Sequence, residues 1–202
     1  MPEITGVEDL LKPELKGKVA LNGDPTTAGA AFSGVVMAAV ANGGSADDIS
    51  PGIDFFSRLS DAGNFLPVDP TPATIESGQT PVVVDWDYTN ASVTSSLDSW
   101  KVVVPQNAQV GGYYYQAINA DAPHPAAARL WQEFLYSDEG QNLYLAGGAR
   151  PVRAEAMQEA GTLDADAYGK LPEVSGEPVL LTAEQNTKAA ELLSQEWAKV
   201  TS

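Results

Sequence analysis

The sequence predicts an α/β fold, and three observations carry that prediction. Short β-rich runs alternate with helical patterns along the chain. Two runs, Val82-Val83-Val84 and Val102-Val103-Val104, are continuously apolar, as strands covered on both faces are. The helical stretches between them open and close on capping and turn residues. With 202 residues, 44% of them hydrophobic, the chain can bury a sizeable core as one domain or two small ones.

Taken in order, Lys18-Val19-Ala20-Leu21 reads as a strand ended by the turn cluster Asn22-Gly23-Asp24-Pro25. Thr26-Thr27 offers a cap before an almost wholly apolar helix, 28–41, stopped by Asn42-Gly43-Gly44. Ser50-Pro51 opens a helix with Ile53, Phe56 and Leu59 on one face, and Thr71-Pro72 opens a short one closed by Gly78. Strands are expected at 82–84, 101–104 and 112–118. Ala127, Leu130, Trp131, Phe134 and Leu135 have the spacing of a core-facing helix. Ser137 caps the next helix, with Leu143 and Leu145. The stretch 147–178 is irregular and partly helical around 154–160. Thr182-x-x-Gln185 is a capping box for a terminal helix with Ala189, Leu192, Leu193, Trp197 and Val200 inward.

The formal charge is −16, divided as −9 up to Val104 and −7 after it, so the acidity belongs to the whole surface. Such a surface repels phosphate backbones and anionic lipid, which argues against nucleic-acid partners. The absence of cysteine excludes disulfides, thiol nucleophiles and Cys-ligated metals. The single histidine, His124, lies between two prolines at a helix entry and reads as structural or solvated. No segment reaches the roughly 18–20 apolar residues of a membrane span. The opening Met-Pro-Glu-Ile-Thr-Gly has neither the basic nor the apolar region of an export signal.

Two constellations stand out. Asp24-Pro25-Thr26-Thr27-Ala28-Gly29 joins a strand to a helix, where amides and hydroxyls can accept an anion or simply cap the helix. Asp85-Trp86-Asp87-Tyr88 follows a buried strand, the end at which α/β sheets place ligands. Its carboxylates suit an ammonium group, which Trp86 or Tyr88 would cover by cation–π contact. An extended backbone sends Asp85 and Asp87 to one face and Trp86 and Tyr88 to the other. The competing reading makes Trp86 a core residue and the acids solvated. In Tyr113-Tyr114-Tyr115, alternation separates Tyr114 from its neighbours, as in a half-buried strand.

Asp9-Leu10-Leu11-Lys12-Pro13-Glu14-Leu15-Lys16-Gly17-Lys18-Val19-Ala20 followed by Asp24-Pro25-Thr26-Thr27-Ala28-Gly29 resembles the mid-chain of bacterial extracellular solute-binding proteins. Glu76-Ser77-Gly78-Gln79, Ala122-Pro123-His124-Pro125-Ala126-Ala127-Ala128-Arg129, Phe134-Leu135-Tyr136-Ser137-Asp138-Glu139-Gly140-Gln141 and Arg150-Pro151-Val152-Arg153 extend the resemblance over about residues 8–200. These proteins are the binding components of ABC importers, in the ferric-iron, thiamine and polyamine branch.

The resemblance implies a periplasmic-binding-protein-like type II fold, with one complete lobe plus the C-terminal part of the other. On that reading 1–16 is a linker from an absent first half-lobe, 17–104 the second lobe, and 105–202 the hinge return and remainder of the first. An export signal or lipid anchor would then lie in the missing start, and the location would be periplasmic or extracellular. The implied ligand positions are Thr26, Thr27 and Ala28 at the helix start, Trp86, Asp87 and Tyr88 at the strand end, and Tyr113 beyond Gly111-Gly112. Ferric binders carry paired tyrosines where this sequence has Asp87-Tyr88.

The expected function is capture of a small zwitterionic or amine-bearing solute for an ABC permease in the membrane. No cofactor, resident metal or catalytic residue is expected. Ferric-iron binding is the alternative within the family, and a hydrolase using Asp85 and Asp87 the alternative outside it. Apolar faces on 113–118, 126–136 and 184–200 lead to an expectation of self-association through the region after Pro105.

Overall fold

The computed structural model describes residues 1–174 and 176–200. They form two compact units, one of 1–112 with 173, 174 and 176–200, the other of 113–172. The expected α/β class holds in the first unit. Its sheet has two parallel strands, β1 (Val19–Leu21) and β2 (Val82–Val84), with Val19 opposite Val82 and Leu21 opposite Val84. Phe65 bridges to the far side of β1, and the Leu66 N–H donates to the Val19 carbonyl at 2.8 Å.

The first helix, α1 (Gly29–Ala41), is apolar on every side because it is covered on two. A Cβ on Gly34 would lie 2.8 Å from side-chain atoms of both Leu21 and Val84, so α1 rests directly on the strand ends. On its other flank comes α2 (Ser50–Asp61), where a Cβ on Gly52 would meet the Val35 carbonyl oxygen at 2.2 Å. The predicted face Ile53, Phe56 and Leu59 is buried. Helix α2 starts at Ser50 itself, because Asp48 accepts the Ser50 N–H and hydroxyl. Short α3 (Pro72–Glu76) is capped by Thr71, which accepts the Thr74 N–H at 3.2 Å, and Gly78 follows at φ 75°.

The terminal helix, α9 (Ala183–Val200), begins at the expected capping box: Thr182 N–H donates to Gln185 Oε1 and Gln185 N–H to Thr182 Oγ1. Its stripe Ala189, Leu193, Trp197 and Val200 is buried against α2. Trp197 stands edge-on to Phe56 at 5.5 Å, and Phe65 stands edge-on to both. The apolar face expected to lie bare on 184–200 is therefore covered. At the other end of the chain Val7, Leu10 and Leu15 enter the same core from two 3-10 turns, Val7–Leu11 and Pro13–Leu15. Buried Asn64 ties them down by donating its amide to the Leu10 and Lys12 carbonyls, each at 2.8 Å.

Two expected strands do not form. Residues 101–104 and 112–118 run as irregular backbone, and the nearby pairing is the single bridge Val110 to Val179. Val-rich and Tyr-rich runs adopt strand only where a neighbour supplies the ladder.

The second unit is helical among its described residues: α5 (Pro125–Leu135), α6 (Asp138–Ala146), α7 (Ala154–Ala160) and α8 (Ala165–Tyr168). Ser137 caps α6 as expected, accepting the Gly140 N–H at 3.1 Å. Leu145 and Met157 are buried. The face predicted to point Leu130 and Trp131 into a core does not: they are 69% and 60% exposed. Tyr113, Tyr114 and Tyr115 are exposed too, the last at 90%.

Candidate functional site

The parallel register places the two candidate segments side by side. Both β1 and β2 point their carboxyl ends the same way, so the loop after Leu21 and the loop after Val84 leave the sheet together. In open α/β sheets ligands bind beyond these ends.

The first loop is organised by Asp24. Its Oδ1 accepts the Thr26 N–H at 2.8 Å and the Thr26 hydroxyl at 2.6 Å, an Asx turn. Its carbonyl accepts the Thr27 and Ala28 N–H groups at 3.0 and 2.7 Å. The Thr residues accordingly do not cap α1: the helix starts at Gly29, and its N-cap is Ala28, which has no side chain to accept a bond. The first amides of α1 thus lack a capping side chain, at the positive end of a 13-residue helix. Thr26 and Thr27 are exposed and Ala28 half-buried around this start, while Pro25 is fully buried and anchors the loop.

The second loop departs from the expected alternation. Asp85 and Trp86 precede α4 (Asp87–Val93), with Trp86 at the N-cap and Asp87 in the first turn, where a carboxylate favours the helix dipole. Trp86, Asp87 and Tyr88 therefore fan out around a helix start and do not alternate across a strand. All three are half-buried, which places Trp86 outside the core. Asp87 Oδ1 accepts the Tyr88 N–H at 2.9 Å. The two loops are joined by Asn22, whose side-chain amide donates to Asp85 Oδ2 at 2.8 Å. Asp85 Oδ1 accepts the Trp86 N–H at 2.6 Å. Burial pushes the Asp85 carboxyl above its usual range, against the opposing pull of these two bonds.

Sequence reading missed Asn22, which looked like a plain turn residue, and it missed Gly112. A Cβ on Gly112 would sit 3.5 Å from Trp86 Cη2, so that backbone runs along the edge of the indole. Tyr113, the first residue of the second unit, is exposed. His124 stands at the N-cap of α5 and is exposed. Among the described residues no three His, Asp or Glu side chains gather as a metal site, and no helix is long and apolar enough to cross a membrane.

A family model described as bacterial extracellular solute-binding protein matches residues 2–172. A solved ABC transporter structure from Clostridium perfringens ATCC 13124 is similar at TM-score 0.64 and 17% identity, over 99% of this chain and 63% of that one. A second, described as a candidate spermidine/putrescine ABC transporter from Listeria monocytogenes, is similar at TM-score 0.59 and 16% identity, over 95% and 61%. At these identities the likeness is one of fold, and the chain spans less than two thirds of either structure. No curated protein matches the sequence. With the family model covering most of its length, the chain belongs to the bacterial extracellular solute-binding proteins.

Proposed function

We propose that this chain captures a small amine-bearing or zwitterionic solute for an ABC importer, at the carboxyl ends of β1 and β2. The observation that carries the reading is the pairing of two unlike loops on adjacent parallel strands. One offers hydroxyls and the uncapped amides of α1, which suit a carboxylate, phosphonate or lone-pair oxygen. The other offers the Asp87 carboxylate beside Trp86 and Tyr88, which suit an ammonium group and its alkyl stem. Tyr113 stays in the proposal as an exposed ring of the hinge-side loop. The polyamine name carried by the Listeria neighbour points the same way.

Ferric iron is the weaker reading, because the segment has one phenol, Tyr88, beside a carboxylate. A hydrolase is weaker still: both Asp85 oxygens already hold the Asn22 amide and the Trp86 N–H. In this proposal the protein works in the periplasm or outside the cell, with a membrane permease as partner and a lipid anchor as its attachment, a reading the extracellular solute-binding family supports. The lobe boundaries implied by the resemblance, 17–104 and 105–202, are part of this proposal.

Calorimetry with putrescine, spermidine, 2-aminoethylphosphonate and ferric citrate tests the reading. An amine is expected to bind, and Asp87→Asn to weaken it at least tenfold, the loss of one charge-assisted contact of about 1.5–3 kcal/mol. Binding of ferric citrate with no amine response contradicts it.

The second unit carries a prediction of its own. Leu130, Trp131, Leu143 and Tyr144 are exposed on neighbouring helices α5 and α6, an apolar surface of the kind that associates. We propose self-association through it. Sedimentation equilibrium is expected to show a concentration-dependent rise in mass that Trp131→Glu suppresses. A monomer at all concentrations rejects the idea.

A further inference from the structure

Asn22 and Asp85 belong to neither set of groups that the proposed solute would touch, yet they connect both. We propose that they are a positioning pair, locking the loop after β1 to the loop after β2 and presetting Trp86 for the solute. This rests on the reading of the site given above.

Asn22 is bonded twice to the β2 side. Its backbone N–H donates to the Val84 carbonyl at 3.1 Å, which carries the strand pairing one residue beyond Leu21. Its side-chain amide then donates to Asp85 Oδ2 at 2.8 Å. A residue without that amide keeps the first bond and loses the second. On the other side, Asp85 Oδ1 accepts the N–H of Trp86, the residue immediately following. One carboxylate thus holds the turn of the first loop with one oxygen and the backbone root of the indole with the other. The far edge of the same indole lies along Gly112. The indole thus lies between a backbone N–H held by Asp85 and the Gly112 backbone, and the Asn22–Asp85 contact bears on where its root sits. The half-buried carboxylate is weakly solvated, which strengthens both bonds.

Exchanging the two side chains separates positioning from mere structure. Asn22→Asp alone replaces the donating amide by a second carboxylate, removes the bond to Asp85 and sets like charges against each other. In the double exchange Asn22→Asp/Asp85→Asn, the amide introduced at position 85 donates to the carboxylate introduced at position 22. Its oxygen still accepts from the Trp86 N–H, so both bonds return.

The readout without ligand is the NMR signal of the Trp86 indole N–H and of the Thr26 and Thr27 amides. Asn22→Asp is expected to move or broaden all three, with the Trp197 indole signal unchanged and the melting temperature lowered by a few degrees at most. The double exchange is expected to restore them. Putrescine affinity is expected to follow, roughly tenfold weaker in the single variant and back to near wild type in the exchange. If Asn22→Asp leaves the Trp86 and Thr26 signals in place, or the exchange fails to restore them, the positioning role is overturned. If the signals move and return as stated while wild-type protein does not bind putrescine, the positioning role stands and the amine reading fails.

Discussion

Replacing Phe56 by alanine is expected to remove about 3–5 kcal/mol of stability, the loss typical of a large ring deleted from a packed core. Phe56 is 1% exposed and is the shared partner of Phe55, Phe65 and Trp197, all edge-on at 5.5 to 5.8 Å. Those rings come from α2, from the segment beside β1 and from α9, so the deletion opens a cavity where three chain segments meet. Against a total stability of about 5–15 kcal/mol, such a loss brings the unit near its unfolding threshold. Urea unfolding followed by far-UV circular dichroism and the Trp197 indole NMR signal measures it. A loss under about 1 kcal/mol would mean that α9 does not pack on α2 as described.

The second large effect is expected at Gly52. An alanine Cβ there would lie 2.2 Å from the Val35 carbonyl oxygen and 2.8 Å from the Ala39 N–H nitrogen, both backbone atoms of α1. Neither can rotate away, so α1 and α2 must separate and the contacts around Val35 and Phe55 loosen with them. Gly52→Ala is expected to destabilise by about 3 kcal/mol, at the upper end of overpacking. Gly29→Ala is the control, since nothing lies within 4 Å of the added carbon. Its unfolding midpoint is expected to stay at or above that of the wild type.

These two helices also show what the sequence made legible. The all-apolar run of α1 marks a buried helix by its composition and length, and the stripe Ile53, Phe56 and Leu59 of α2 marks its buried face by spacing. The capping box at Thr182 was legible because its donors and acceptors lie three residues apart, and the cap at Thr71 because a proline follows it. The strands expected at 101–104 and 112–118 were misread for a physical reason: a β-prone run forms a strand only when another chain segment pairs with it, and local sequence does not contain the neighbour. The exposed face of α5 has the same origin. Its spacing marks an amphipathic helix correctly, but spacing does not say what covers the stripe.

The candidate site divides likewise. That the loops after β1 and β2 carry chemistry was legible from residue types at strand ends. Their junction was not, because the Asn22–Asp85 bond spans 63 residues and nothing local to either marks it. The helix starts were misplaced by one or two residues, since Asp24 and Asp48 outcompete the neighbouring hydroxyls for the free N–H groups. At Asp87 the chain turns into α4, so the alternation of an extended backbone does not continue past Trp86.

The most direct test of the account is an amide-resolved NMR titration of the chain with putrescine. The predicted result is a saturable set of shifts confined to residues 22–31 and 85–88, including the Trp86 indole N–H, with the Trp197 signal unmoved. Shifts absent from both loops, or centred on the exposed aromatic face of α5, would contradict it.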